Sequence, residues 1–190
     1  MKTQQGSGSQ VTREKILEVA TDLFVEYGYD GTPLSLIASK LEFTKAALYY
    51  HFKSKTDILT EILEPLLGQV DELLERAPER FPTSDQRWDF MVRYSQILLS
   101  HARAVSVLSL GGNHSWMPAA ILRRIERHKN RTTELAMLPS MSEEDQVKAI
   151  LLTDMLHREI VFESGRPTVA GMSPERRREI VYDFIREALG

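Results

Sequence analysis

Two short helices joined by a tight turn are predicted for residues 32–55, and this stretch constrains the fold more than any other. Its sequence is TPLSLIASKLEFTKAALYYHFKSK. Thr32 is a favoured helix-capping residue, and Pro33 suits the first helical position because its missing N–H would have no partner there. Apolar residues then follow at helical spacing, namely Leu34, Ile37, Ala38 and Leu41. The turn is predicted at residues 42–44.

The second helix of this stretch is predicted to expose an unusual set of side chains. Thr44 caps it, and Leu48 and Phe52 form its buried side. Two alanines, two tyrosines, a lysine and a histidine face outwards or lie at the edge: Lys45, Ala46, Ala47, Tyr49, Tyr50 and His51. A helix with this surface suits insertion into a DNA major groove. The alternative is a tyrosine-rich face that contacts another protein.

The residues TKAALYYHF, from Thr44 to Phe52, and the Lys-Ser-Lys that follows them carry a resemblance to a known family. They resemble the DNA-binding head of the TetR family of transcriptional regulators, and the similarity extends over about residues 12–60. Two positions depart from the family pattern. Glu42 replaces the usual glycine of the turn, and Leu36 stands where the family tends to be polar. If the turn needs a positive φ at residue 42, a glutamate there costs about 1 kcal/mol.

Helical periodicity continues along the chain, and no stretch alternates with period two, so we expect an all-α fold. Helices are expected at about residues 12–27, 33–41, 45–52, 55–76, 85–101, 104–110, 118–136, 142–163 and 173–190. Pro65 is expected to kink or split the fourth of them. The resemblance implies a three-helix helix-turn-helix head and a larger helical body. We therefore assign a flexible N-terminal arm to residues 1–11, the DNA-binding domain to 12–54, and a ligand-binding and dimerisation domain to 55–190.

Composition narrows the class of protein further. The net charge of −3 argues against a chain that binds nucleic acid throughout, but residues 40–55 hold four lysines and one glutamate, a local charge of +3. The absence of cysteine excludes disulfides and thiolate metal sites and fits a cytoplasmic protein. No apolar run is long enough for a membrane span, and the N-terminus lacks the apolar core of a signal peptide.

We expect ten residues of the head to form the DNA-binding surface. Lys45 and Lys55 would clamp phosphates, and Thr32 would attract a phosphate at a helix N-terminus. Base contacts would come from Lys45, Tyr49 or Ser35, while the alanines permit close approach and meet thymine methyls. The full predicted set is Thr32, Ser35, Thr44, Lys45, Ala46, Ala47, Tyr49, Tyr50, His51 and Lys55.

The body offers a weaker set of candidates for a ligand site. The resemblance implies an effector cavity, and methionine and aromatic walls suit an apolar or aromatic ligand. The candidates are Trp88, Met91, Tyr94, His114, Trp116 and Met155. The alternative for each of them is an ordinary core position. We expect no metal site, no cofactor and no catalytic set, because the histidines are scattered and no GxSxG, HExxH or phosphate-binding loop occurs.

These residues and the resemblance together indicate a ligand-responsive transcriptional regulator, expected to be a repressor and not an enzyme. The family implies a homodimer that pairs through its last two helices and binds a palindromic operator in double-stranded DNA. It also implies release by a small effector, here expected to be largely apolar. Two rival interpretations stay open. One is a helical small-molecule carrier or enzyme that does not use the head, and the other is a protein-interaction module.

Overall fold

The computed structural model describes residues 5–109, 116–138, 140–151 and 173–189, and these residues form helices and the links between them, without a strand. The helices are α1 (Gln5–Tyr27), α2 (Leu34–Lys40), α3 (Lys45–His51), α4 (Lys55–Glu75), α5 (Ser84–Ser100), α6 (Ala102–Ser109), α7 (Ala119–Ala136), α8 (described over residues 143–151) and α9 (Pro174–Leu189). The predicted all-α fold is confirmed. The length of α8 beyond residue 151 lies outside the described residues.

The predicted helix starts agree closely with the structure where a capping residue marks them. The hydroxyl of Ser142 accepts from the N–H of Asp145 at 3.2 Å, and that of Ser173 accepts from the N–H of Arg176 at 3.2 Å. The first helix differs, because α1 begins at Gln5 inside the predicted arm. Extending an existing helix adds one hydrogen bond per residue, so weak helix formers continue a helix that they would not start.

The chain divides into two compact units. Unit 1 comprises residues 1–65 and 106–122, and unit 2 comprises residues 66–105 and 123–190. The division therefore falls inside α4, at Pro65, whereas the predicted domain boundary lies at residues 54 and 55. That predicted boundary stays a prediction.

Unit 1 is a small helical head built on one apolar core. The core side chains come from α1, α2, α3 and the first half of α4, and they are almost fully buried: Ile16, Ala20, Leu23, Phe24, Ile37, Ala38, Leu48, Phe52, Ile58, Leu59 and Leu63. They recur at helical spacing within each segment, which is why the sequence indicated the buried faces. This core fixes α2 and α3 against α1.

The fourth helix is continuous from Lys55 to Glu75 with Pro65 inside it. Of the two outcomes expected at Pro65, a split does not occur, and a kink stays a prediction. Proline removes one main-chain hydrogen bond, but Leu63, Leu66 and Leu67 on either side of it are buried and hold the helical backbone in place.

Unit 2 packs α5 at its centre. Phe90, Met91, Tyr94 and Leu98 of α5 are buried. The hydroxyls of Ser95 on α5 and Tyr182 on α9 lie 2.7 Å apart, and Trp88 meets the Tyr182 ring edge-on. Tyr182 therefore marks the side of α9 that packs on α5. No described helix has both the length and the apolar composition that a membrane span requires.

Candidate nucleic-acid interface

The turn between α2 and α3 has the geometry of a Schellman motif. The N–H of Phe43 donates to the carbonyl of Ala38 at 2.8 Å, and the N–H of Glu42 donates to that of Ser39 at 3.1 Å. Glu42 has a φ of 58°, in the left-handed region that favours glycine. The sequence-based expectation that this position can require a positive φ is confirmed, and the glutamate occupies it under backbone strain.

The third helix begins with the predicted cap and is held by one buried residue. The N–H of Ala47 donates to the hydroxyl of Thr44 at 3.1 Å, and Leu48 is the buried side chain of the helix. Tyr50 is 83% exposed and Tyr49 is 52% exposed. Aromatic side chains this exposed leave most of their surface available to a partner.

Most of the predicted DNA-binding residues share one exposed surface. Thr44, Lys45, Ala46, Ala47, Tyr49 and Tyr50 are exposed on or beside α3, and Ser35 is exposed on α2. His51 is half-buried and packs edge-on against the ring of Tyr50, with 5.2 Å between the ring centroids. We name the exposed set Ser35, Thr44, Lys45, Ala46, Ala47, Tyr49 and Tyr50 the α3 face.

Thr32 does not belong to this surface, which corrects the prediction. Its side chain is 0% exposed, and its hydroxyl lies 3.0 Å from the carbonyl oxygen of Leu23 and 2.8 Å from that of Gly28. Its own N–H donates to the carbonyl of Tyr29 at 3.2 Å. The cap of α2 is Pro33, without a side-chain hydrogen bond. Thr32 instead bonds within the head, to main-chain carbonyls in and just after the last turns of α1.

Lys55 is also engaged inside the head rather than presented as a phosphate clamp. Its Nζ donates to the carbonyl of Tyr29 at 2.6 Å and lies 4.1 Å from the centroid of the Tyr29 ring. Partial burial lowers the pKa of Lys55, although Asp30 opposes that shift. The Tyr29 hydroxyl lies 3.1 Å from that of Thr56. Lys55 therefore ties the start of α4 to the loop after α1.

Arg13 is a residue of the head that sequence reasoning missed. Its guanidinium pairs with both carboxylate oxygens of Glu61, with a distance of 2.7 Å from Nε to Oε1, and its Nη1 donates to the carbonyl of His51 at 2.5 Å. It also lies over the ring of Phe52, 4.0 Å from the centroid. These partners are 38 and 48 residues away along the chain, so no local sequence signal could identify them.

Four of the predicted ligand residues are described by the structure, three of them in unit 2 and one in unit 1. Met91 and Tyr94 are buried in unit 2, and burial raises the pKa of Tyr94 well above its usual range. Trp88 is half-buried beside Tyr182, also in unit 2. Trp116 belongs to unit 1, where it stacks on Tyr29 at a centroid distance of 4.6 Å. His114 and Met155 lie outside the described residues.

An open groove of about 1190 Å³ lies in unit 2, lined by the second half of α4, the loop that follows it, and α5. Its apolar lining includes Leu73, Phe81, Phe90 and Ile97. Its charged lining is Glu72, Arg76, Asp89 and Arg93. Of the predicted ligand residues that the structure describes, none lines this groove. Sequence periodicity missed it because its walls combine buried and half-buried apolar side chains with exposed charges from different segments.

A half-buried charge cluster joins α4 to α7 within unit 2. Asp71 accepts from Arg124 Nε at 2.7 Å and from His128 Nε2 at 2.5 Å. Burial acts to raise the pKa of Asp71, but the hydrogen bonds from His128 and Arg124 outweigh it and lower that pKa. Burial lowers the pKa of His128 despite its bond to Asp71. The described residues contain no group of acidic or histidine side chains arranged to hold a metal ion.

Comparisons with known proteins agree on the class of this chain. The family model described as "Bacterial regulatory proteins, tetR family" matches residues 16–62, which include α2, α3 and the first part of α4. The chain is 27% identical to the A-factor receptor protein of Streptomyces griseus over 174 residues, covering 90% of this chain and 62% of that protein. It is 52% identical over 62 residues to IcaR, a negative transcriptional regulator of a biofilm operon in Staphylococcus aureus, covering 33% of each chain.

A solved structure is similar to this chain in fold. The crystal structure of AmtR from Mycobacterium smegmatis superposes with a TM-score of 0.71 at 23% identity, covering 94% of this chain and 86% of that chain. This likeness concerns the fold alone. The chain spans less than two thirds of the length of the curated relatives named above. Because the matched family model covers the capped turn and the α3 face, the head of this chain, over residues 16–62, belongs to the TetR family of bacterial regulatory proteins.

Proposed function

We propose that this protein binds a palindromic DNA operator as a homodimer and is released from it by a small, largely apolar effector. The observation that carries the DNA-binding part is the α3 face. With Leu48 buried against the core, α3 exposes Lys45, Tyr49 and Tyr50, whose ammonium and hydroxyl groups can reach phosphate oxygens.

The chemistry of this face suits a major groove. Ala46 and Ala47 let the helix backbone approach the bases, and their methyl groups complement the methyl group of thymine. Lys45 provides a charge for phosphate or guanine, and the two tyrosine hydroxyls donate to phosphate oxygens or base edges. Because the proposed partner is genomic DNA, we expect the protein in the cytoplasm.

The dimer is supported by apolar surfaces on the last two helices. Ile180 and Phe184, one turn apart on α9, are 42% and 51% exposed, while Tyr182 turns towards α5. The described part of α8 exposes Val147, Ile150 and Leu151. Large apolar side chains at helical spacing on two helices suit burial against a second copy. A two-fold dimer doubles the base contacts and matches a palindromic site.

For the effector, we propose the groove of unit 2 as the binding region. Leu73, Phe90 and Ile97 supply apolar wall, and Arg76 and Arg93 at its sides would suit a polar or acidic end of the ligand. A ligand releases DNA only if it binds the two DNA-affinity states of the protein unequally. Because α4 contributes residues to both units, with Pro65 at the division, we propose that α4 transmits the change.

Repression is the proposed direction of control. The support is the printed name of IcaR, which describes that protein as a negative regulator, together with 52% identity to it over 62 residues. A repressor needs only to occupy its operator, so no activating surface is required of this chain.

The deciding experiment is selection of duplexes by the purified protein from a random library, followed by anisotropy titrations. The selected duplex and a shuffled duplex of equal composition are compared at several salt concentrations. We expect a two-fold-symmetric consensus bound at least about a thousandfold more tightly than the shuffled duplex. Equal affinity for both duplexes, or selection of no consensus, would refute the DNA-binding proposal. Unchanged DNA affinity in a Lys45→Ala, Tyr49→Ala double variant would remove the α3 face from it.

A further inference from the structure

The direction of α3 depends on how its two ends are held, because a single side chain in its middle is buried. The helix has seven residues, and Leu48 is the side chain that it buries. Its first end is fixed by the Schellman turn and by the cap that Thr44 forms with Ala47. A short helix with one buried residue pivots about that residue unless its other end is also held.

Arg13 of α1 holds the other end. Its Nη1 donates at 2.5 Å to the carbonyl of His51, the last residue of α3, which has no partner further along the helix. The same guanidinium lies 4.0 Å from the ring centroid of Phe52, the residue that caps α3 and is buried in the core. A cation at the C-terminal end of a helix is also favoured by the helix dipole.

Glu61 fixes the guanidinium in turn. Both of its carboxylate oxygens accept from Arg13, so the flat guanidinium has one allowed orientation between α1, α3 and α4. All three of its nitrogens donate to partners inside the head. Arg13 is therefore arranged for geometry rather than for neutralising a phosphate.

We propose that Arg13, oriented by Glu61, is a positioning residue that sets the direction of α3 and hence the sequence preference of the α3 face. This inference rests on the proposed DNA-binding function. Neither Arg13 nor Glu61 touches a base in this view. Both act through the main-chain carbonyl of His51 and the ring of Phe52.

Glu61→Gln gives a test in which the loss of a charge and the loss of positioning change DNA affinity in opposite directions. Removing a negative charge from the head strengthens binding to every duplex by electrostatics alone. Loss of positioning instead weakens binding to the duplex selected by the wild type, by about tenfold, because misplaced base contacts are lost. Asp57→Asn is the matched control, since Asp57 is exposed at the start of the same helix and acts on Arg13 by coulombic attraction, whereas Glu61 holds it by hydrogen bonds.

Arg13→Lys supplies the second variant, since it keeps the positive charge but not the planar fork. We expect it to lose about tenfold in affinity for the selected duplex, with shuffled-duplex affinity and salt slope unchanged. A phosphate clamp would instead lower affinity for both duplexes and reduce the salt slope. Hydrogen exchange of residues 44–52 should quicken in both variants without DNA, and thermal melting confirms that each variant is folded.

The outcomes separate this inference from the proposed function. If the wild type selects a consensus but Glu61→Gln binds both duplexes like Asp57→Asn, positioning by Arg13 is refuted and DNA binding stands. A different outcome is that Glu61→Gln and Arg13→Lys lower the melting temperature while the ratio of selected-duplex to shuffled-duplex affinity stays at the wild-type value. In that case Arg13 and Glu61 only stabilise the fold, and the inference is also refuted. If the wild type selects no consensus, the proposed function fails; unchanged hydrogen exchange over 44–52 refutes the positioning of α3 on its own.

Discussion

The ammonium of Lys55 donates to the main-chain carbonyl of Tyr29 at 2.6 Å, so a lysine that resembled a phosphate contact instead closes the head. The same nitrogen lies over the Tyr29 ring, which also packs against Phe24 and stacks on Trp116 of the same unit. Tyr29 is thus the point where the end of α1, the start of α4 and the segment before α7 meet.

Lys55→Met should therefore lower the free energy of unfolding. A hydrogen bond from a charged group contributes about 1.5–3 kcal/mol, and partial exposure of Lys55 places the expected loss near the lower end. Chemical denaturation monitored by circular dichroism measures it. Lys53→Met is the control, because Lys53 is exposed two positions earlier and should change stability by less than about 0.5 kcal/mol. Equal effects from the two variants would contradict the closing role of Lys55.

Salt titrations should distinguish Lys45 from Lys55 in DNA binding. Lys45 is exposed on the α3 face, so Lys45→Met should reduce the slope of log affinity against log salt by about 1. The slope should stay unchanged in Lys55→Met, whose ammonium is occupied inside the head. A reduced slope in both variants would restore Lys55 to the contact surface.

Glu42→Gly should stabilise the protein. The left-handed conformation costs a non-glycine residue about 1–2 kcal/mol, and glycine would remove this cost. Glycine also loses more chain entropy on folding, which offsets about 0.5–1 kcal/mol of the gain in stability. The expected net gain of about 0.5–1 kcal/mol corresponds to a rise of about 1–4 °C in Tm. Glu42→Gln keeps the backbone strain and removes the charge, so it should leave Tm nearly unchanged. A similar rise in both variants would assign the effect to charge.

Stability should fall as the pH drops below neutrality, and His128 should contribute to that fall. Burial lowers the folded-state pKa of His128 below the usual value of about 6.5. The unfolded chain therefore takes up the proton first, and the contribution present above pH about 6.5 is lost as the pH falls towards the folded-state pKa. Asp71, Arg124 and Arg127 face this ring, and the two arginines also oppose its protonation.

Denaturation at pH values between about 7 and 5 measures this dependence, with His128→Gln as the test variant. The slope of stability against pH should be smaller in the variant than in the wild type. His101 has the same direction of shift, also from burial, so a residual slope is expected. An unchanged slope in His128→Gln would show that His128 does not titrate in this window.

Phe184→Glu should convert a dimer into a monomer if α9 forms the proposed interface. Phe184 is 51% exposed on the side of α9 away from Ser95, so the monomer should fold as before. Light scattering after size-exclusion chromatography gives the mass, and circular dichroism gives the fold. Asp183→Ser, which changes an exposed neighbour, serves as the control. A dimer that survives Phe184→Glu would place the interface elsewhere.

Local features of the head were readable from sequence because their physics is local. The cap at Thr44 needs only the N–H of Ala47, three residues away, and a glycine-like position at residue 42 needs only the turn around it. The buried residues Ile37, Ala38, Leu48 and Phe52 follow from helical spacing. Exposure of Tyr49 and Tyr50 follows from the same spacing, since neither shares the side of α3 that Leu48 buries, whereas Lys45 lies one turn before Leu48 and is exposed at the first position of the helix.

Tertiary packing of the helices determines the polar partners of four side chains: Thr32, Lys55, Arg13 and Asp71. Thr32 and Lys55 carry the residue types of phosphate contacts, yet both side chains instead contact main-chain carbonyl oxygens in and just after the last turns of α1. Arg13 and Asp71 find partners 38–57 residues away. Helical spacing assigns a residue to a face, because the backbone repeats every 3.6 residues. Helical spacing does not predict which polar atom of another segment contacts that face, because this depends on packing between segments distant in sequence.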